Sequence, residues 1–205
     1  IEKPTATLPG RGMGTCRACG LIGVEAVVAP IFSDVAANGY YSRALDHCYA
    51  KGWVSGATET TFAPNSACVR AQVVTFLWRA AGCPEPKRGV NPFVDVKQSD
   101  FYYDAVLWAA ENGITAGTDA THFSPMGACN RAQVVTFLWR AFGQPTPETQ
   151  AHPFTDVPGG SFFEAPVLWA VEEGITSGLS AKTFGPNANC TRAQIVTFLY
   201  RAYAE

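Results

Sequence analysis

Charge is scarce in this 205-residue sequence: Asp, Glu, Lys and Arg make up 16% of it, and the net charge is -2 with a pI near 5.9. That balance leaves no electrostatic case for nucleic acid as a partner. Long apolar runs are missing too. The longest, "LIGVEAVVAPIF", falls short of the roughly 18–20 residues that span a bilayer and carries Glu25, so no membrane insertion is expected. His47, His122 and His152 are the only histidines and have no metal-ligand spacing. No G-x-S-x-G or H-E-x-x-H motif occurs. The stretch "GTDATHF" supplies too few oxygens for an EF-hand calcium loop, so no metal or other cofactor is expected. There is no initiator methionine and no basic-then-apolar leader at Ile1, as expected of a fragment or a processed chain. Against these absences, hydrophobic residues reach 47%, enough for a sizeable core.

What is present is a repeat. Arg70, Arg131 and Arg192 are separated by 61 residues each time. The same offset relates Phe32, Phe93 and Phe154, each opening F-x-D-V, and also Gly56, Gly117 and Gly178, and Pro64, Pro125 and Pro186. The period defines three units, at 32–82, 93–143 and 154–205, joined by the proline-rich connectors "CPEPKRGVNP" and "QPTPETQAHP". Residues 1–31 stand before them as an N-terminal extension or linker with a C-x-x-C pair at Cys16 and Cys19, read either as the tail of another module with short strands or as a linker packed on the first unit.

Each unit reads as helix, loop, helix. In the middle copy Ala105, Val106, Ala109 and Ala110 follow helical spacing over about 102–112, and Gly113 is placed for a left-handed C-terminal cap. The glycine-rich loop "GITAGTDATHFSP" carries Phe123 as an anchor to the core. The second helix opens on a capping box, Asn130 with Gln133 and Thr191 with Gln194, whereas Val69 in the first copy lacks the cap oxygen. A unit of this size buries little alone, so the expected fold is mainly α, with three helix-loop-helix repeats of 61-residue period packed as a pseudo-threefold bundle.

Seven cysteines cannot all pair within the chain. Cys68, Cys129 and Cys190 hold the same place in each repeat, just before a helix, and are expected to be small buried residues. Cys16 and Cys19 could form a local disulfide or half of a metal site, and a Cys48–Cys83 pair stays open.

The pattern F-x-D-V, then a helix, then G-I-x-x-G-x-x-x-x-x-F-x-P, then x-x-R-A-Q before an apolar helix, resembles the S-layer homology module, whose usual complement is three tandem copies. The resemblance covers Phe32 to the C-terminus. The family commonly has I-T-R-A-E where this chain has C-V-R-A-Q, C-N-R-A-Q and C-T-R-A-Q, changes that leave the arginine in place. It implies a non-catalytic, extracellular anchor on the bacterial cell wall or S-layer. The implied ligand is a secondary cell wall polysaccharide, often ending in pyruvylated N-acetylmannosamine, held in grooves between modules; peptidoglycan is the alternative wall partner. Two other readings are a surface protein–protein interaction module, and an anchor for an upstream catalytic domain outside this chain.

The residues expected to hold the ligand are Arg70, Arg131 and Arg192. A cation at the first helical position opposes the helix dipole, whereas Arg79, Arg140 and Arg201 at the other end are favoured there and need no functional reason. A guanidinium beside free helix-start N–H groups would receive a carboxylate. The competing structural reading pairs each arginine with Asp34, Asp95 or Asp156. Trp108, Trp169, Gly117 and Gly178 are second-line candidates, as apolar sugar platforms and close backbone approaches. In the first unit His47 replaces the tryptophan and Trp53 replaces Ile114 and Ile175, so a groove built there is expected to differ.

Overall fold

The computed structural model describes residues 4–15, 22–28, 30–87, 90–149 and 151–204. Six helices carry the repeats: α1 (Ser42–Ala50), α2 (Arg70–Ala80), α3 (Tyr103–Glu111), α4 (Arg131–Ala141), α5 (Glu164–Glu172) and α6 (Arg192–Tyr203). Ahead of them an antiparallel pair, β1 (Gly10–Thr15) and β2 (Ile22–Val28), brackets the segment with Cys16 and Cys19, which lie outside the described residues. Strands flank the C-x-x-C segment, and residues 5–7 pack on the first unit. Thr7 donates its N–H and hydroxyl to the Asp46 carboxylate at 2.9 and 2.8 Å, and Ala6 is buried.

The capping boxes form as the sequence predicts. Asn130 Oδ1 accepts from Gln133 N–H at 2.9 Å while Gln133 Oε1 accepts from Asn130 N–H at 3.1 Å, and Thr191 and Gln194 repeat the exchange. Val69 has no acceptor, so only the Gln72 half is made. Gly52, Gly113 and Gly174 adopt positive φ directly after the first helix of each unit. Each F-x-D-V turn is tied to its own loop: Asp95 accepts from Phe123 and Ser124 N–H at 2.9 and 2.8 Å, which draws Phe123 fully into the core, and Asp34 and Asp156 act likewise on Phe62 and Phe184.

Helices do not pair mainly within their own unit. α3 packs on α2, α5 on α4, and α1 closes against α6 from the far end of the chain. Backbone bonds at the second-helix starts follow the same cycle. Cys129 N–H donates to Cys68 O, Cys190 N–H to Cys129 O, and Cys68 N–H to Cys190 O, all at 2.9 Å. These three cysteines have no exposed surface, and burial pushes the Cys68 and Cys129 thiols up to about 12 and the Cys190 thiol higher still. Small residues are needed there because three backbones meet. Cys48 and Cys83, whose pairing the sequence leaves open, are both free: Cys48 is buried under α6, its Sγ 3.7 Å from Val196 O, and Cys83 is exposed after α2.

Candidate functional site

Each repeated arginine opens a second helix and sends its side chain into the next unit of the cycle. Arg70 Nε donates to Phe123 O at 2.8 Å and Arg131 Nε to Phe184 O at 2.9 Å. Arg192 Nε closes the cycle, donating to Phe62 O of the first unit at 2.7 Å. Every guanidinium lies against two phenyl rings, those of Phe123 and Phe137 at 4.8 and 5.3 Å for Arg70, a cation–π arrangement. All three arginines are at least 96% buried by residue, and that burial lowers their pKa values, yet arginine stays charged.

Two sequence expectations change here. The pairing with Asp34, Asp95 and Asp156 is not made, because those carboxylates are taken up by loop N–H groups; among the described residues the one ion pair is the exposed Asp119–His122 contact. Nor are the helix-start N–H groups free. Arg131 and Ala132 N–H donate to Ala188 and Pro186 O, at 2.9 and 3.1 Å, and Gln133 N–H is held by its cap. Any anion is therefore met by side chains rather than by the helix start. Nη1 of each arginine keeps no protein partner among the described residues, and Nη2 of Arg70 has only a 3.5 Å approach to Thr115 Oγ1.

Around each guanidinium is a groove built from all three units. The Arg70 groove is lined by the Thr115–Thr118 loop, by Gln133, Thr136 and Arg140 of α4, and by Phe162 of the third unit. The Arg131 groove has Thr176–Leu179, Gln194, Thr197 and Arg201, with Tyr40 from the first unit. Around Arg192 stand Ser55–Ala57, Gln72, Thr75 and Arg79, with Phe101 from the second unit. Two arginines thus face each groove and no Asp or Glu lines any of them. Tyr40, Phe101 and Phe162 are 68%, 66% and 63% exposed, an unusual state for aromatic side chains at one repeated position. Together these groups can hold an anion by charge-assisted hydrogen bonds and lay an apolar ring face beside it.

Of the second-line candidates, Gly117 and Gly178 line the Arg70 and Arg131 grooves. At φ of +83° and +84° they pack against Phe93 and Phe154, where a Cβ would collide. Trp108 and Trp169 are elsewhere: 8% and 4% exposed, they fill the helix interfaces, and Trp169 borders a separate cavity with Phe142 and Tyr203. Sequence alone does not single out Arg79, Arg140 and Arg201, whose place at a helix end is sufficient explanation, or Tyr40 and Phe101. The available signal was the 61-residue recurrence of an aromatic at 40, 101 and 162.

The fold and the grooves define a closed three-unit helical body with paired arginines at its clefts. The chain belongs to the S-layer homology domain family, which matches residues 31–74, 92–135 and 153–196. It is similar to an endoglucanase of Bacillus sp. (strain KSM-635), 33% identical over 60% of this chain and 13% of that protein. It is also similar to the surface-layer 125 kDa protein of Lysinibacillus sphaericus, 29% identical over 87% of this chain and 16% of that protein, and to an S-layer protein of Bacillus licheniformis, 26% identical over 91% and 22%. The chain spans less than a quarter of the length of these relatives. The segment shared by an enzyme and surface-layer proteins is a non-catalytic one, and the family and its members support a cell-wall-associated anchoring module. Among the described residues no helix is long and apolar enough to cross a membrane.

Proposed function

We propose that this chain is an extracellular anchor that binds a secondary cell wall polysaccharide of a bacterial wall or S-layer, through a carboxylate-bearing sugar such as pyruvylated N-acetylmannosamine, in the inter-unit grooves of a pseudo-threefold bundle. The observation that carries the reading is the pair of arginines facing each groove with no carboxylate beside them and an exposed aromatic at the mouth. In an occupied groove Arg70, Arg131 or Arg192 would contact the sugar carboxylate through Nη1, the donor that the fold leaves unused. Arg79, Arg140 and Arg201 would add a second cation, and Phe101, Tyr40 and Phe162 an apolar face for the pyranose ring. Gly117 and Gly178 would shape the groove floor. The anchored protein can be catalytic or structural, which fits a segment found in both an endoglucanase and surface-layer proteins.

Co-sedimentation with purified Gram-positive walls tests this, before and after hydrofluoric acid removes phosphodiester-linked polymers. Binding lost on stripping is the expected result. Binding that survives stripping would move the ligand to peptidoglycan, and absence of binding to either wall would favour a surface protein partner.

A further inference from the structure

The three grooves share their arginines, glutamine and threonine; they differ at Ser55, Ala116 and Ser177, at the mouth, where Tyr40 stands in place of Phe101 and Phe162, and most in size and polarity at one further wall. In the second unit Thr118 and Ser124 stand together, Oγ1 to Oγ 2.8 Å, and Thr118 lines the Arg70 groove. At the same two repeat positions the third unit has Leu179 and Gly185. A Cβ on Gly185 would collide with Leu179 Cδ1, so the leucine occupies the space that the glycine leaves. The first unit has Ala57 and Ala63. The second of these positions has the same left-handed backbone in each unit, with φ of 57°, 56° and 73° at Ala63, Ser124 and Gly185. The second and third units also agree at Gly117 and Gly178, with φ of 83° and 84°, so between those two grooves the side chains set the difference. The openings follow the side chains: about 340 Å³ around Arg70, about 350 Å³ around Arg192 and about 170 Å³ around Arg131. Small-molecule pockets typically run from about 300 to 1,000 Å³, so the leucine-walled groove falls below that range and the other two within it.

The Arg192 groove departs in a second way. Val54 replaces Thr115 and Thr176, and Arg192 Nη2 is drawn instead onto Ser55 O at 2.7 Å. In the other grooves Nη2 has only a threonine hydroxyl at 3.5 or 3.4 Å. The Arg192 groove is roomy, but its guanidinium is more committed to the protein and its wall offers the Ala57 methyl where the Arg70 groove offers the Thr118 hydroxyl.

We propose that the residue pair at 57/63, 118/124 and 179/185 sets which groove accepts the ligand. The Arg70 groove, lined by Thr118 with Ser124 hydrogen-bonded to it, is the principal site for a hydroxyl-rich anionic sugar, the Arg192 groove is a weaker one, and Leu179 closes the Arg131 groove to it. This rests on the reading that the grooves bind a carboxylate-bearing glycan. A hydroxyl wall can meet sugar hydroxyls that an isobutyl wall would leave unpaired, and one such hydrogen bond corresponds to about a tenfold change in affinity.

The exchange already present within the chain supplies the test. Isothermal titration with the methyl glycoside of pyruvylated N-acetylmannosamine is compared for the unaltered chain, T118L/S124G and L179T/G185S, with circular dichroism and the melting temperature confirming the fold. The unaltered chain should show one dominant site. T118L/S124G should weaken it at least tenfold, and L179T/G185S should add a second site of similar affinity. Three equal sites in the unaltered chain would overturn the grading while leaving the wall-anchor reading intact, as would folded variants that bind like the unaltered chain. No binding of this sugar by a chain that still sediments with walls would overturn both the grading and the choice of sugar.

Discussion

An arginine with its guanidinium under the surface needs its charge accounted for, and here the account is made in three parts. Nε bonds a phenylalanine carbonyl of the next unit, two ring faces flank the cation, and the arginine lines a groove without a carboxylate. The repeat singled these arginines out because a helix start disfavours a cation. The second arginine of each groove was hidden by its own good local reason, and an exposed aromatic reads in sequence like a core one. The buried cysteines were legible from their small size at a repeated apolar place. Native alkylation with iodoacetamide at pH 8, mapped by mass spectrometry, should modify Cys83 and spare Cys48, Cys68, Cys129 and Cys190 until denaturant is added, because a buried thiol at about 12 supplies little thiolate. Modification of the four at the rate of Cys83 would contradict their burial. Asp156 gives a pH prediction. Burial works to raise its carboxyl, but N–H donors from Phe184 and Gly185 outweigh this and the net direction is down. Its contribution is therefore present above about pH 4, the ordinary unfolded value, and lost as pH falls through the lower folded one. Asp156→Asn should cost about 1 kcal/mol at pH 7, modest because the carboxylate is partly solvated, and the difference from the unaltered chain should vanish in acid urea titrations.

At the scale of the element, helix starts and stops were the most legible features, since capping boxes and left-handed glycines act over four residues and need no tertiary context. The middle copy's first helix, expected over 102–112, runs 103–111. The one incomplete cap allows a direct check. Val69 precedes α2 with extended φ and ψ like those of Asn130 and Thr191, so a hydroxyl there would meet Gln72 N–H. Val69→Thr keeps the branched shape and should stabilise the chain by about 0.5–1 kcal/mol, raising Tm by about 2–3 °C in a thermal melt. An unchanged or lower Tm would mean that apolar packing of the valine outweighs the cap. The β-strands at 10–15 and 22–28 were legible only as a vague expectation, because glycine-rich "GRGMGT" lacks the alternating pattern that marks a strand.

For the whole molecule, the sequence period says that three units exist but not which helix meets which. Equal spacing is compatible with units that fold alone, stack in a row or close into a cycle. The structure chooses closure, with α1 on α6 and the cysteine bonds running through all three units. This is why the grooves could not be read from any one repeat: each takes its first arginine from one unit, its loop from the next and its aromatic from the third. Removing residues 153–205 should leave α1 uncovered, Arg131 without Phe184 O and Cys68 N–H without its acceptor. The two-unit remainder should then lose cooperative unfolding in urea, while the full chain unfolds in one transition. A remainder that melts as sharply as the full chain would argue for independent units.

The central claim is that a guanidinium in an inter-unit groove holds the carboxylate of a wall sugar. The most direct measurement is a ¹⁵N–¹H spectrum of arginine Nε groups, recorded while pyruvylated N-acetylmannosamine is added to the intact chain, which avoids mutating a buried residue. The Arg70 Nε resonance should move in proportion to binding while Arg43, which lines none of the three grooves, stays in place. Saturable binding with the resonances of Arg70, Arg131 and Arg192 all unmoved would place the ligand elsewhere on the molecule and contradict the account.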